Sequence, residues 1–146
     1  MKQVITIFLF LMLAAVSTAQ EITLFDSDGE ARAYIDANNN EMPIYLWAGE
    51  PVAYLKPSKK SGYCIYGFNG KHLGWFEDGL VIDHEGCVCG FVKGAINKST
   101  MYEPYKGYKQ YLPYKSYTEY EPYKPYRTSY FSKTPLTLFY VGDGKS

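Results

Sequence analysis

Leu24-Phe25-Asp26-Ser27-Asp28-Gly29-Glu30-Ala31-Arg32-Ala33-Tyr34-Ile35 is one copy of a pattern written four times between Ile22 and Val92. Each copy has an aliphatic residue five positions before a glycine. Alanine or glycine stands four after that glycine, followed by an aromatic and another apolar residue. The copies are Leu24…Gly29-Ala33-Tyr34-Ile35, Ile44…Gly49-Ala53-Tyr54-Leu55, Ile65…Gly70-Gly74-Trp75-Phe76 and Val81…Gly86-Gly90-Phe91-Val92. A repeat of this kind fixes architecture before any single residue does.

Each copy reads as a β-hairpin, with two apolar strands about a turn at Asp28-Gly29, Ala48-Gly49, Asn69-Gly70 or Glu85-Gly86. Asp-Gly and Asn-Gly predict type I′ turns. Ala48 and Glu85 disfavour positive φ and predict a type I turn with glycine in a bulge. The small residues Ala33, Ala53, Gly74 and Gly90 share a strand face with large apolar neighbours, and predict room for a neighbouring hairpin's aromatic ring. Helical spacing is missing. The fold class is all-β, a pseudo-fourfold rosette or shallow barrel of four hairpins.

The run Gly74-Trp75-Phe76-Glu77-Asp78-Gly79, followed by Asp83-His84-Glu85-Gly86 and Gly90-Phe91, resembles the bacterial four-fold β-flower family. The resemblance covers Ile22 to Ala95 and implies a square, barrel-like rosette of four hairpins. It carries no activity. The chain departs from that pattern in Arg32, a charge where the other copies are apolar, and in a long tail.

The tail is the second unusual feature. Tyrosine falls at every third position from 102 to 126: Tyr102, Tyr105, Tyr108, Tyr111, Tyr114, Tyr117, Tyr120, Tyr123 and Tyr126. Beneath it lies a nine-residue repeat, each unit opening Tyr-x-Pro-Tyr-Lys at 102, 111 and 120. Three residues per turn is the polyproline II period, so the rings line one edge and Lys106, Lys109, Lys115 and Lys124 another. The 27 residues would extend about 84 Å. Duplication into a low-complexity linker would give the same regularity, but disordered linkers are poor in aromatics. After the tail, Thr134 to Val141 reads as one more apolar strand.

Met1 to Ala19 has the form of a secretory signal peptide: Lys2, an apolar run from Val4 to Val16, and small residues before a cut at Ala19/Gln20. The domains expected are 1–19 signal peptide, 20–98 four-hairpin domain, 99–130 repeat tail and 131–146 terminal strand, docked on the domain. Export implies the periplasm, the cell surface or the medium. With 15 basic and 15 acidic residues, no basic field favours nucleic acid. Export also permits a disulfide among Cys64, Cys87 and Cys89, with Cys64–Cys87 preferred and three buried thiols the alternative.

Catalytic chemistry has little support. No serine elbow, zincin helix or phosphate loop is present. Asp83, His84, Cys87 and Cys89 have poor zinc spacing, and Asp26-Ser27-Asp28-Gly29 lacks the rest of a calcium loop. Glu77 and Asp78 are adjacent and point apart. No enzyme activity, metal or cofactor is expected. The leading expectation is an exported, non-catalytic binding or scaffold protein, whose tyrosine strip meets a cell-wall polymer or envelope protein. The alternatives are a self-contained domain whose tail straps its own apolar surface, and a membrane-surface or lipid-binding domain.

Overall fold

The computed structural model describes residues 21–128, 130 and 131. The signal peptide expected at Met1–Ala19 and the strand expected at Thr134–Val141 both lie outside the described residues. Eight strands follow in order: β1 (Glu21–Phe25), β2 (Ala31–Asp36), β3 (Pro43–Leu46), β4 (Pro51–Pro57), β5 (Tyr63–Tyr66), β6 (His72–Glu77), β7 (Leu80–Ile82) and β8 (Val88–Phe91). Each pairs antiparallel with its sequence neighbours, and β1 meets β8 to close the barrel. The four sequence copies are the four hairpins β1–β2, β3–β4, β5–β6 and β7–β8.

The spacing inside the repeat is a strand register. The aliphatic leader of each copy lies opposite its small residue: Leu24↔Ala33, Ile44↔Ala53, Ile65↔Gly74 and Val81↔Gly90. Next to that pair every hairpin carries a β-bulge, because Phe25, Tyr45, Tyr66 and Ile82 pair one residue further on than regular alternation allows. The extra residues are Arg32, Val52, Leu73 and Cys89. A bulge re-aims the strand, and Val52, Leu73 and Cys89 join the buried core. Arg32 instead remains more than half exposed, held by Asp26 and Glu30.

All four turns are alike, which corrects one expectation. Gly29, Gly49, Gly70 and Gly86 have φ between 78° and 104°, but neither Asp28 nor Asn69 has positive φ. In each, the glycine N–H donates to the carbonyl three residues back: Asp26, Leu46, Gly67 and Asp83. These are type I turns closed by glycine, at Asp-Gly and Asn-Gly as much as at Ala-Gly and Glu-Gly. The pair with both residues at positive φ, suited to type I′, is Asp78-Gly79, which joins the third hairpin to the fourth.

The barrel interior is filled by Leu24, Ile44, Ile65 and Val81 with Ala33, Ala53, Ile35 and Leu55. The small residues therefore make room for aliphatic side chains and a close backbone, not for aromatic rings. A Cβ on Gly74 would lie 2.2 Å from the Ile82 carbonyl oxygen. The aromatics point outward and meet at the seams between hairpins. Tyr34 lies opposite Tyr45, Tyr54 opposite Tyr66, Trp75 opposite Ile82, and Phe91 opposite Phe25. They are nonetheless buried, Tyr34 and Trp75 at 1% and 0% exposure. The tail covers them.

Candidate binding surface

Residues 101–128 form neither helix nor strand. They run past the four hairpin turns in sequence order, as a strap with three rows of side chains. One row is hydrogen-bonded through its backbone. The Met101 N–H donates to the Gly29 carbonyl, Gln110 to Gly49, Glu119 to Gly70 and Thr128 to Gly86, at 2.8–3.0 Å. These donors stand nine residues apart, so one tail repeat spans one hairpin repeat. Between them, Gly107 donates to Trp47 and Ser116 to Phe68. Prolines 104, 113, 122 and 125 take the remaining places in this row, where no N–H is used.

The fit at each turn is close. The carbonyl oxygens of Ser99, Tyr108, Tyr117 and Tyr126 would lie 2.3, 1.9, 2.1 and 2.3 Å from a Cβ on Gly29, Gly49, Gly70 and Gly86. Each repeat glycine thus has two reasons to be glycine: its left-handed φ and the strap passing over it.

A second row points at the barrel and carries the lysines. Lys106 lies 4.5 Å from the Tyr34 ring centre and 5.2 Å from Trp47, and is paired with Glu21. Lys109 bridges Glu21 and Asp36 above Tyr34 and Tyr45. Lys115 lies 4.2 Å from Tyr54 with Glu41 at 3.0 Å, and Lys124 sits over Trp75, paired with Glu77. Each cation meets an aromatic face and a carboxylate together, a combination that suits an ammonium group. The carboxyls respond: Lys106 and Lys109 hold Glu21 below its ordinary pKa, and Lys124 does the same for Glu77.

The same row brings Glu121 to the third hairpin. Its carboxylate accepts from Ser58 Oγ at 2.7 Å, Trp75 Nε1 at 2.8 Å and the Lys59 N–H at 3.1 Å. Burial raises this carboxyl's pKa, but the hydrogen bonds win and bring it down to about 2. Cys64 lies against it, its thiol pushed up to about 12 by burial first and by Glu121 second. Nearby, His72 Nδ1 and His84 Nε2 are 2.9 Å apart, while the buried His72 Nε2 has no partner. Either tautomer of the pair leaves that atom unsatisfied.

The third row is the tyrosines, which face away from the barrel. From Tyr102 to Tyr126 all nine rings are 80–103% exposed. The three rows come from one threefold period, as expected for a polyproline-II-like segment. The rings do not cover the barrel: lysine stems, Leu112 and strap backbone lie over it.

No disulfide joins Cys64, Cys87 and Cys89, which corrects the Cys64–Cys87 pairing. Cys64 lies under the strap on β5, Cys87 in the turn before β8, and Cys89 in the barrel core. The candidate metal set is split: Asp83 and Cys87 lie together with Glu85, their ligand atoms within 4.8 Å of one another, whereas His84 and Cys89 turn away. His84 turns to His72, Cys89 to the core, and Asp83 Oδ1 accepts from the Glu85 and Cys87 N–H groups.

Sequence reading missed Glu121, His72 and the acidic partners Glu21, Asp36 and Glu41. The signal for the acidic partners is weak, because only the strap's path shows which lysine meets which carboxylate. The family model of the 4-fold beta flower protein matches residues 22–140. No curated protein and no solved structure matches the chain significantly. The chain belongs to the four-fold β-flower family, and the match runs through the strap as well as the hairpins.

Proposed function

We propose that this β-flower protein is an exported, non-catalytic scaffold that presents a hoop of tyrosines to a cell-envelope partner. One observation carries the reading: nine rings, 80–103% exposed, stand on a strap whose other two rows are fixed to a rigid barrel. Exposed aromatics in such number are unusual on a monomeric surface and mark contact sites. A tyrosine offers an apolar face, a hydroxyl and little conformational entropy to lose, which suits a glycan chain or a protein surface. Export is read from the leader at Met1–Ala19.

The test is co-sedimentation of the full chain with purified cell-envelope polymer and with solubilised envelope protein. It is compared with a variant carrying Tyr105→Ser, Tyr108→Ser, Tyr111→Ser, Tyr114→Ser and Tyr117→Ser. Loss of binding in a variant that melts like the parent supports the hoop as the contact surface. Binding that survives the five substitutions sinks it.

A second reading has its own support. The β1–β8 closure rests on the pair Phe25↔Phe91, and the end of the strap lies at that seam. Phe131 packs on Phe91, and the Val88 N–H donates to Tyr130 at 3.0 Å. The strap then also serves as a clasp that keeps the barrel closed, and the two roles use different rows of the same segment.

A further inference from the structure

The groove that holds the strap is a binding site for a particular peptide. It has four backbone acceptors, Gly29, Gly49, Gly70 and Gly86, at the turns. At three seams it places an acidic aromatic pocket, built on Tyr34, Tyr54 and Trp75, for a lysine. The peptide it fits has Lys and a free N–H at nine-residue intervals, which describes this chain's own strap. We propose that the groove also accepts the strap of a second copy, so that the protein assembles by strap exchange.

Three observations lead there. Among the described residues, the hydrogen bonds and ion pairs of residues 101–127 run to the barrel and not within the strap. Nothing in those contacts distinguishes a strap from the same chain from one supplied by a neighbour. The strap is also held through repeated, partly exposed ion pairs, each weak alone, so its stations can be released one at a time. Finally, residues 92–100 link it to β8 as a strand-free segment at the β1–β8 seam, the kind of hinge across which elements are exchanged.

The tether favours the strap's own barrel, because a short linker sets an effective concentration of about millimolar. Exchange therefore rises with protein concentration and after unfolding and refolding together. Strap exchange depends on the docking geometry alone and is independent of what the tyrosines bind.

Glu41 and Lys115, 3.0 Å apart and both partly exposed, supply the test. Full-length Glu41→Cys and Lys115→Cys proteins are unfolded together, refolded at rising concentration and oxidised. Dimers are then mapped by mass spectrometry, which separates the new linkage from the native cysteines. A dimer linked between positions 41 and 115, increasing with concentration, is expected. Replacing Lys115→Cys by Tyr114→Cys, whose parent ring faces away, should reduce it several-fold. Monomers at every concentration, or equal linkage from Tyr114→Cys, overturn exchange. One chain carrying both Glu41→Cys and Lys115→Cys should close internally in dilute solution. If it does not, the docked strap itself is wrong and exchange falls with it.

Discussion

Gly49 shows how two demands meet in one residue. Its φ of 104° is one an L side chain rarely adopts, and the Tyr108 carbonyl oxygen occupies the place of a Cβ at 1.9 Å. Gly94 shares the first demand, with φ of 89°, but has nothing within 4 Å. Gly94→Ala should lose about 1–2 kcal/mol for the left-handed backbone alone. Gly49→Ala should lose more and also expose the strap to protease near residue 108. Equal melting shifts with no new cleavage would mean that the strap does not press on that turn. His72 provides a second residue-scale prediction. Burial first, and His84 second, push its pKa down to about 4 from an ordinary 6.5. Between those values the unfolded chain binds a proton that the folded chain refuses. This contribution is complete above about pH 6.5 and is lost as pH falls toward 4, at up to about 1.4 kcal/mol per unit. Glu121 has the opposite charge and adds a lower window. Its stabilisation is present above the ordinary 4.5 and lost as pH falls toward 2. Urea midpoints from pH 7.5 to 4.5 should decline for the parent and much less for His72→Phe. An unchanged decline in the variant would assign the effect elsewhere.

At the scale of elements, hairpin and strap are two repeats of different length brought into one register. The hairpin repeat was legible because leader and small residue face each other across each strand pair, a cause that leaves a fixed spacing. Its turns were only half legible. Asp28-Gly29 and Asn69-Gly70 carry a type I′ signature, but the bulges at Arg32 and Leu73 need glycine alone in the left-handed region, and the shared bulge overrode the local preference. The threefold order of the strap was legible, including the separation of ring and lysine edges. Its direction was not. Burying the rings is the simpler hydrophobic expectation, yet Glu21, Asp36, Glu41 and Glu77 beside the seams make the lysine edge the better fit. Lys106→Met, Lys115→Met and Lys124→Met each remove a cation and keep much of the apolar stem. Each should lower stability by about 0.5–1 kcal/mol. The losses should be nearly additive, because the three stations lie on separate seams. Denaturation in low and high salt measures this, with a smaller difference between parent and triple variant expected at high salt. A triple variant as stable as the parent in both would remove the lysine row from the account.

For the whole molecule, the question is which parts the barrel needs to stand closed. Seven of the eight strand interfaces pair at three or more positions, whereas β1 and β8 pair at Phe25↔Phe91. The strap passes the four turns in order, and Phe131 lies against Phe91 at this weak closure. A chain ending at Lys98 would uncover Tyr34, Tyr45, Tyr54, Tyr66 and Trp75 together, an apolar surface that water does not tolerate well. It should melt well below the full chain or precipitate. The five-tyrosine-to-serine variant changes more aromatic area than any single substitution, but removes rings exposed at 97–103%. It should melt within about 1 kcal/mol of the parent, since substitutions at exposed sites without contacts are usually near neutral. The pair of measurements separates the two rows of one segment. A truncated chain that melts like the parent would leave the strap a passenger and the clasp without support. A tyrosine variant as unstable as the truncation would mean that the rings, and not the lysines, hold the barrel.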